Sequence, residues 1–241
     1  MIVTPNAVAT LLRGADLVAA PWKNGGGVTR EVAAFPEGAG LDAFVWRVSI
    51  ADVAQAGAFS RFAGIDRTLV LLSGAGILLD EAQGQTHTLT QPLDIARFAG
   101  ETAIDARLVD GATRDFNLMV RREAATGELD VWRSEDNAGR ASTRHLSADV
   151  VLLFCASGSL EVTLGDNAPL TLTVGDTLHI QAPRALACKV SAPAASGERR
   201  CSASMCSFLP SSANCSGSSN TAWPLISTLP VTRPCARSPL P

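Results

Sequence analysis

One pattern occurs twice in this chain and limits the architectures open to it: strand, glycine turn, strand, then a Thr-Leu-Thr segment. In the first copy LVLLSGAGILL (69–79) precedes TLTQPLDIARFAG from Thr88. In the second, VVLLFCASGSLEVTL (150–164) precedes TLTVGDTLHIQAP from Thr171. Ser73-Gly74 maps onto Ser157-Gly158, 84 residues later, and Thr88–Thr90 onto Thr171–Thr173, 83 residues later. Two landmarks with nearly one offset read as the duplication of a β unit. Short strands with glycine turns, arranged twice, predict an all-β chain of two small antiparallel, jelly-roll-like halves.

Further strands are predicted where apolar and polar residues alternate: Phe44–Ile50 (FVWRVSI), Asp115–Val120, Leu170–Val174 and Thr177–Ile180. Helices are expected to be few and short; the fairest candidate is Val8–Val18, weakened by Gly14. The expected division is a first half over 1–112, holding the pocket, a second over 113–198, and a tail over 199–241.

That tail has a different composition. All 23 acidic residues lie before it, and it holds ten Ser, six Pro, four Arg and four Cys. The Cys spacings match no zinc pattern. The segment reads as disordered, best explained by out-of-frame translation after about Glu198, with a native disordered tail as the alternative. It is set aside from functional reasoning, and the remaining Cys155 and Cys188 fit a reducing compartment. A formal net charge of −3 gives no reason to expect nucleic-acid binding. The longest apolar run, near Leu69–Leu79, is well short of the ~20 residues a membrane helix needs. Arg13 and Asp16 interrupt any signal-like start, so a cytoplasmic protein without membrane contact is expected.

The candidate chemistry lies in four stretches. In Pro21–Glu31 (PWKNGGGVTRE), three successive glycines mark a sharp turn or a close approach, and Lys23, Asn24 and the glycine amides are able to form an anion-binding concavity. The alternative is a tight turn with Trp22 packed as a lid. In FVWRVSI, Phe44, Trp46, Val48 and Ile50 share a core face, while Arg47 and Ser49 share the other. Alternation leaves open whether that second face lines a cavity, where it would suit an anion, or meets solvent. In the third string (RDFNLMVRR), Asp115 and Asn117 share a face. Arg61, Asp66 and Arg67 crowd the turn before a buried strand, as an Arg–Asp pair or, at Arg67, a ligand contact. The three His stand apart from one another and from paired carboxylates, which gives no three-His metal site.

Three strings in order, PWKNGGGVTREVA (21–33), FVWRVSIADVAQAGAFSRFAGIDRTLVLLSGAGILL (44–79) and DFNLMVRR (115–122), resemble the HutD/Ves family. The resemblance runs from about Leu11 to Val190. It implies a cupin-type double barrel (a bicupin) and a link to bacterial histidine utilisation, as a regulator and not as a catabolic enzyme. It also implies a small acidic ligand, formylglutamate- or urocanate-like; the Ves branch is instead stress-associated. Metal-binding cupins carry two His and a Glu in the stretch equivalent to Ser60–Leu72. Here there is no His, and Arg67 falls about where the Glu would be, which favours an anion over a metal. No cofactor is expected. The ligand-binding set is read as Lys23, Asn24, Arg47, Ser49, Arg67 and Asn117, lined by Trp22 or Phe59. The partner is a small acidic metabolite, with a homodimer left open. The second reading is a metal-independent isomerase or hydrolase using Asp66 or Asp115 to carry a proton. A third is a scaffold for a protein partner. The tail is expected to cost the second half its final strand.

Overall fold

The computed structural model describes residues 1–4, 7–133, 141–191 and 202–210. Strands β1 (Ile2–Thr4) and β2 (Ala7–Leu12) lead through a single 3-10 turn, Gly14–Asp16, to β3 (Ala19–Pro21), β4 (Gly27–Phe35), β5 (Trp46–Val53) and β6 (Gly57–Ala58). Next come β7 (Ile65–Ser73), β8 (Ile77–Glu81), β9 (Thr86–Leu89), β10 (Ile95–Ala99), β11 (Ile104–Leu108) and β12 (Thr113–Arg121). The remainder are β13 (Ala125–Arg133), β14 (Ser142–Leu146), β15 (Val150–Ser157), β16 (Ser159–Leu164), β17 (Leu170–Thr173), β18 (Thr177–Gln181), β19 (Leu186–Ser191) and β20 (Ser202–Pro210).

The sheets carry the duplication. One half pairs a six-stranded sheet, β10-β7-β12-β5-β4-β3, with a four-stranded sheet, β6-β11-β8-β9. The other pairs β1-β2-β18-β15-β20-β13 with β14-β19-β16-β17. The segments β10-β7-β12-β5 and β18-β15-β20-β13 correspond strand for strand, as do the two small sheets. Between the sheets of the first half lie Leu69, Leu71, Ile77, Leu79, Leu89, Phe98 and Ile104. Between those of the second lie Leu153, Cys155, Leu160, Leu164, Leu178 and Ile180. A third core joins the halves: Trp46, Val48, Ile50, Phe116 and Leu118 pack against Leu129, Val150, Leu152 and Phe154. The Phe116 and Phe154 rings meet at 5.0 Å across this seam, a contact worth ~0.5–1.5 kcal/mol beyond the area it buries. The face of FVWRVSI expected to be core is therefore core, but its Trp46, Val48 and Ile50 fill the seam and not a barrel.

Three expectations change. The sheets do not divide at 112/113: β12 hydrogen-bonds to β5 and β7 of the first half, and β2 to β18 of the second. The Val8–Val18 segment begins as strand and not helix, because Ala7 and Ala9 bury one face in the second core. Gly14 serves that crossing, since a Cβ there would run into the Gly175 backbone at 2.6 Å. Asp176, 3% exposed, fastens the corner by accepting from Arg13 Nη1 (2.8 Å), the Gly14 amide (3.1 Å) and the amide and hydroxyl of Thr173 (3.0 and 2.9 Å). Finally, β20 lies inside the segment expected to be disordered. It sits between β13 and β15 and pairs with both, so the last strand is present. A slot flanked by two strands is filled through main-chain hydrogen bonds, which composition alone does not forbid. Residues 211–241 of the expected tail lie outside the described residues.

Candidate functional site

The interior of the first half is polar on one wall. Along β12, Phe116, Leu118 and Val120 face the seam; the alternation turns Asp115, Asn117 and Met119 inward. Register then fixes their neighbours. Asn117 stands between Ser49 of β5 and Leu69 of β7, and Asp115 between Ala51 and Leu71. Met119 stands between the two arginines, Arg47 and Arg67. Of the six residues read as a ligand set, the fold thus brings Arg47, Ser49, Arg67 and Asn117 onto one inward face, with Asp115 beside them. Ser49 is 1%, Arg67 6%, Asp115 1% and Asn117 9% exposed.

The two guanidiniums are not equivalent. Arg47 is committed: its Nε donates to Glu31 Oε2 at 2.7 Å and its Nη1 to Ser49 Oγ at 3.3 Å. Arg67 donates from Nη1 to the Ser60 carbonyl at 3.3 Å, and its Nε has no acceptor among the described residues. Its Cζ lies over three rings, Phe59 at 5.3 Å, Phe62 at 5.8 Å and Phe98 at 5.1 Å. Each ring face attracts the cation by ~0.5–2 kcal/mol, which offsets part of the cost of taking it out of water. Burial lowers the Arg67 pKa to about 10, with Asp115 opposing and Arg47 adding, so the group remains charged at neutral pH.

Asp115 responds in the opposite direction. Burial pushes its carboxyl up to about 7, the Arg67 charge pulling it down and Asp52 pushing it up. Its Oδ2, like Asn117 Oδ1, has no hydrogen-bond partner among the described residues. Buried polar atoms of native proteins are almost always paired, so three orphans on one inward face mark a place prepared for something polar. The donors do not fit the cation that metal-binding cupins hold. Two guanidiniums repel one, and no group of three or more His, Cys, Asp or Glu converges among the described residues.

Lys23 and Asn24 are not brought to this face. Both are exposed on the turn after β3, and Asn24 Oδ1 accepts from the Gly26 amide at 3.0 Å. The glycines serve the turn itself. Gly25 has φ +69°, and a Cβ on Gly27 would meet the Asp52 carbonyl and the Trp22 ring. Trp22 packs against that turn, donating from Nε1 to Thr29 Oγ1 at 2.8 Å. Asp66, a proton carrier in the second reading, is an exposed partner of Arg122 at 2.9 Å, on the opposite face of β7 from Arg67's pairing with Phe98.

Sequence reasoning missed the His87–Glu81 pair. The β8–β9 hairpin sets Leu79 opposite His87, so His87 Nε2 meets Glu81 Oε1 at 2.8 Å, with both side chains mostly buried. The His87 ring lies 6.0 Å from Phe98, which places the pair at the same end of the interior as Arg67. The hairpin register was the signal that would have revealed it. His179 instead points into the seam, edge-on to Trp46 at 6.3 Å, and His145 is exposed.

Two duplicated antiparallel sandwiches back to back, one with a polar interior wall, define an all-β, cupin-type protein. The HutD family model matches residues 14–196, and the chain belongs to that family. It is 39% identical over 171 residues to an "uncharacterized 21.2 kDa protein in hutC 3'region" of Pseudomonas putida, covering 71% of this chain and 86% of the relative. It is 37% identical over 121 residues to the protein Ves of Cronobacter sakazakii, covering 50% of this chain and 65% of that protein. The solved structure of HutD from Pseudomonas fluorescens SBW25 superposes with TM-score 0.69 at 30% identity, covering 84% of this chain and 99% of that one. A likeness at 13% identity and TM-score 0.63 to the Escherichia coli protein YlbA, over 86% and 93% of the two chains, concerns the fold alone. Among the described residues no helix is long and apolar enough to cross a membrane.

Proposed function

We propose that the first half is a receptor for a small carboxylate metabolite, acting as a regulator and not as a catalyst. The observation that carries this is the buried Arg67 guanidinium, whose unpartnered Nε is a donor for a carboxylate; the unpartnered acceptors Asn117 Oδ1 and Asp115 Oδ2 on the same inward face suit N–H or O–H donors elsewhere on the ligand. A charge-assisted hydrogen bond to a ligand carboxylate is worth ~1.5–3 kcal/mol. That bond, with hydrogen bonds from the ligand to Asn117 and Asp115 and the Phe59, Phe62 and Phe98 rings beside it, gives micromolar affinity. The relative named for the hutC 3' region supports a setting in histidine utilisation. Formylglutamate- and urocanate-like acids are then the first ligands to try. Isothermal titration at pH 6.5 with N-formylglutamate and with urocanate tests this. One of them should bind, and Arg67→Gln should weaken it about ten- to hundred-fold. Heat from neither acid on the unaltered protein would remove the proposal.

Asp115 supports a second reading. A carboxyl with its pKa near 7 is suited to general acid–base work, so a metal-independent isomerase or hydrolase acting on the same kind of acid is the alternative. Turnover with a bell-shaped pH profile, abolished in Asp115→Asn, would favour it.

A further inference from the structure

We propose that Asp115 is the specificity-determining group of this interior: as Arg67 takes the carboxylate of the ligand, Asp115 takes up one proton and hydrogen-bonds the bound anion. The inference deepens the reading above and rests on it.

The charges around Asp115 lead to this. Its register neighbours are Leu71 of β7 and Ala51 of β5; Arg67 and Arg47 stand on the same inward face two inward positions along, on either side of Met119, and Glu31 of β4 already engages Arg47. Asp52, also on β5, is bound on its other side by Arg30 (2.6 Å) and by Arg114. On the facing sheet, Glu81 of β8 and His87 of β9 satisfy each other. β10 and β11 turn Ala96, Phe98, Ile104 and Ala106 inward, none of them titratable. β6 contributes Gly57 and Ala58. Of the two arginines on this inward face, Arg67 is therefore the one with no carboxylate in salt-bridge contact among the described residues.

An anion that pairs with Arg67 consumes that compensation. The Asp115 carboxylate would then be buried beside a second negative charge, with Asp52 repelling it and no hydrogen bond to Oδ2. Protonation resolves both problems at once. A proton moves from solvent to Asp115, the net charge of the site is restored, and the new O–H donates to an acceptor oxygen of the ligand. No other bond forms or breaks. The ligand selected is a carboxylate able to accept from Arg67 on one side and from a carboxylic acid on the other. Its affinity then falls with rising pH once the free protein has lost the Asp115 proton.

Two measurements test this, and they fail separately. The first needs no ligand. Carboxyl carbon NMR of aspartate-labelled protein, with the Asp115 signal assigned by its loss in Asp115→Asn, follows the midpoint in the unaltered chain and in Arg67→Gln. Removing the guanidinium imitates its neutralisation, and the midpoint should rise by about one pH unit or more. An unmoved or lowered midpoint would overturn the proposal. The second is calorimetry with N-formylglutamate and urocanate between pH 6 and 9, in phosphate and in Tris, whose ionisation heats differ. Above the free midpoint, Kd should rise about tenfold per pH unit. The observed heat should also depend on the buffer, and both effects should vanish in Asp115→Asn. Binding with neither effect would refute the proton uptake while leaving the receptor reading intact. No binding at any pH would remove both.

Discussion

Asp115 makes the free protein carry a pH-dependent penalty that a single substitution should erase. In an unfolded chain its carboxyl titrates near 3.8, whereas in the fold burial holds the proton on to about 7. Between these values the unfolded chain releases the proton and the native one keeps it. The contribution of Asp115 to stability is therefore fully present below pH 3.8 and is lost as pH rises through 7. A displacement of about three pH units at ~1.4 kcal/mol each sets an upper limit of about 4 kcal/mol on that loss. Asp115→Asn replaces the carboxyl by a neutral group of the same shape and should flatten this part of the profile. Urea unfolding followed by tryptophan fluorescence, with Trp46 and Trp132 buried as reporters, should show the variant gaining on the parent from pH 5 to pH 8. About two of those pH units lie in this range, so the gain should be up to ~2.5 kcal/mol. Parallel pH profiles for the two proteins would refute the reasoning, because they would mean that the native fold solvates the carboxylate.

Other outcomes follow from the same structure. His179 lies in the seam with its Nε2 unpartnered, and burial lowers its pKa below 6.5. Its share of stability is present above pH 6.5 and is lost as pH falls, so Tm should drop between pH 7.5 and 5.5 by less in His179→Leu than in the parent. Asp176→Ala removes the acceptor for two amides, a hydroxyl and Arg13, and should cost ~2–4 kcal/mol in urea unfolding. An unchanged midpoint would mean that the corner is held by its backbone alone.

Much of this fold was readable from strand and turn alone. The recurrence of Ser-Gly and Thr-Leu-Thr at nearly one offset corresponds to β7–β9 and β15–β17, which occupy matching places in their sheets. Alternation in FVWRVSI and DFNLMVRR correctly put Arg47 with Ser49, and Asp115 with Asn117. Each such pair lies two residues apart on one strand, where a period of two settles the face. What the apolar face packs against was not readable, since a stripe of Trp46, Val48 and Ile50 serves a seam between sandwiches as well as a barrel interior. Lys23 and Asn24 misled because glycine clusters suit tight turns as well as anion nests, and here the Asn24 side chain closes the turn. The partnership of His87 with Glu81 depends on the register of a hairpin, and the aromatic surround of Arg67 on three separate segments. Neither is a property of local sequence. The strand at 202–210 escaped notice because its neighbours, not its composition, make the place for it.

The exchange of β2 into the far sheet also sets the order in which this molecule can be made. Ala7–Leu12 leaves the ribosome well before the edge it must join, Thr177–Gln181, which is synthesised some 165 residues later. The half between them closes on itself in the meantime, with every ladder from β3 to β12 already available. The N-terminal segment has to wait as an unsatisfied strand beside that finished body, exposed to pairing with other nascent chains. Translation speed and chaperone supply should therefore govern the yield of this protein more than its final stability does.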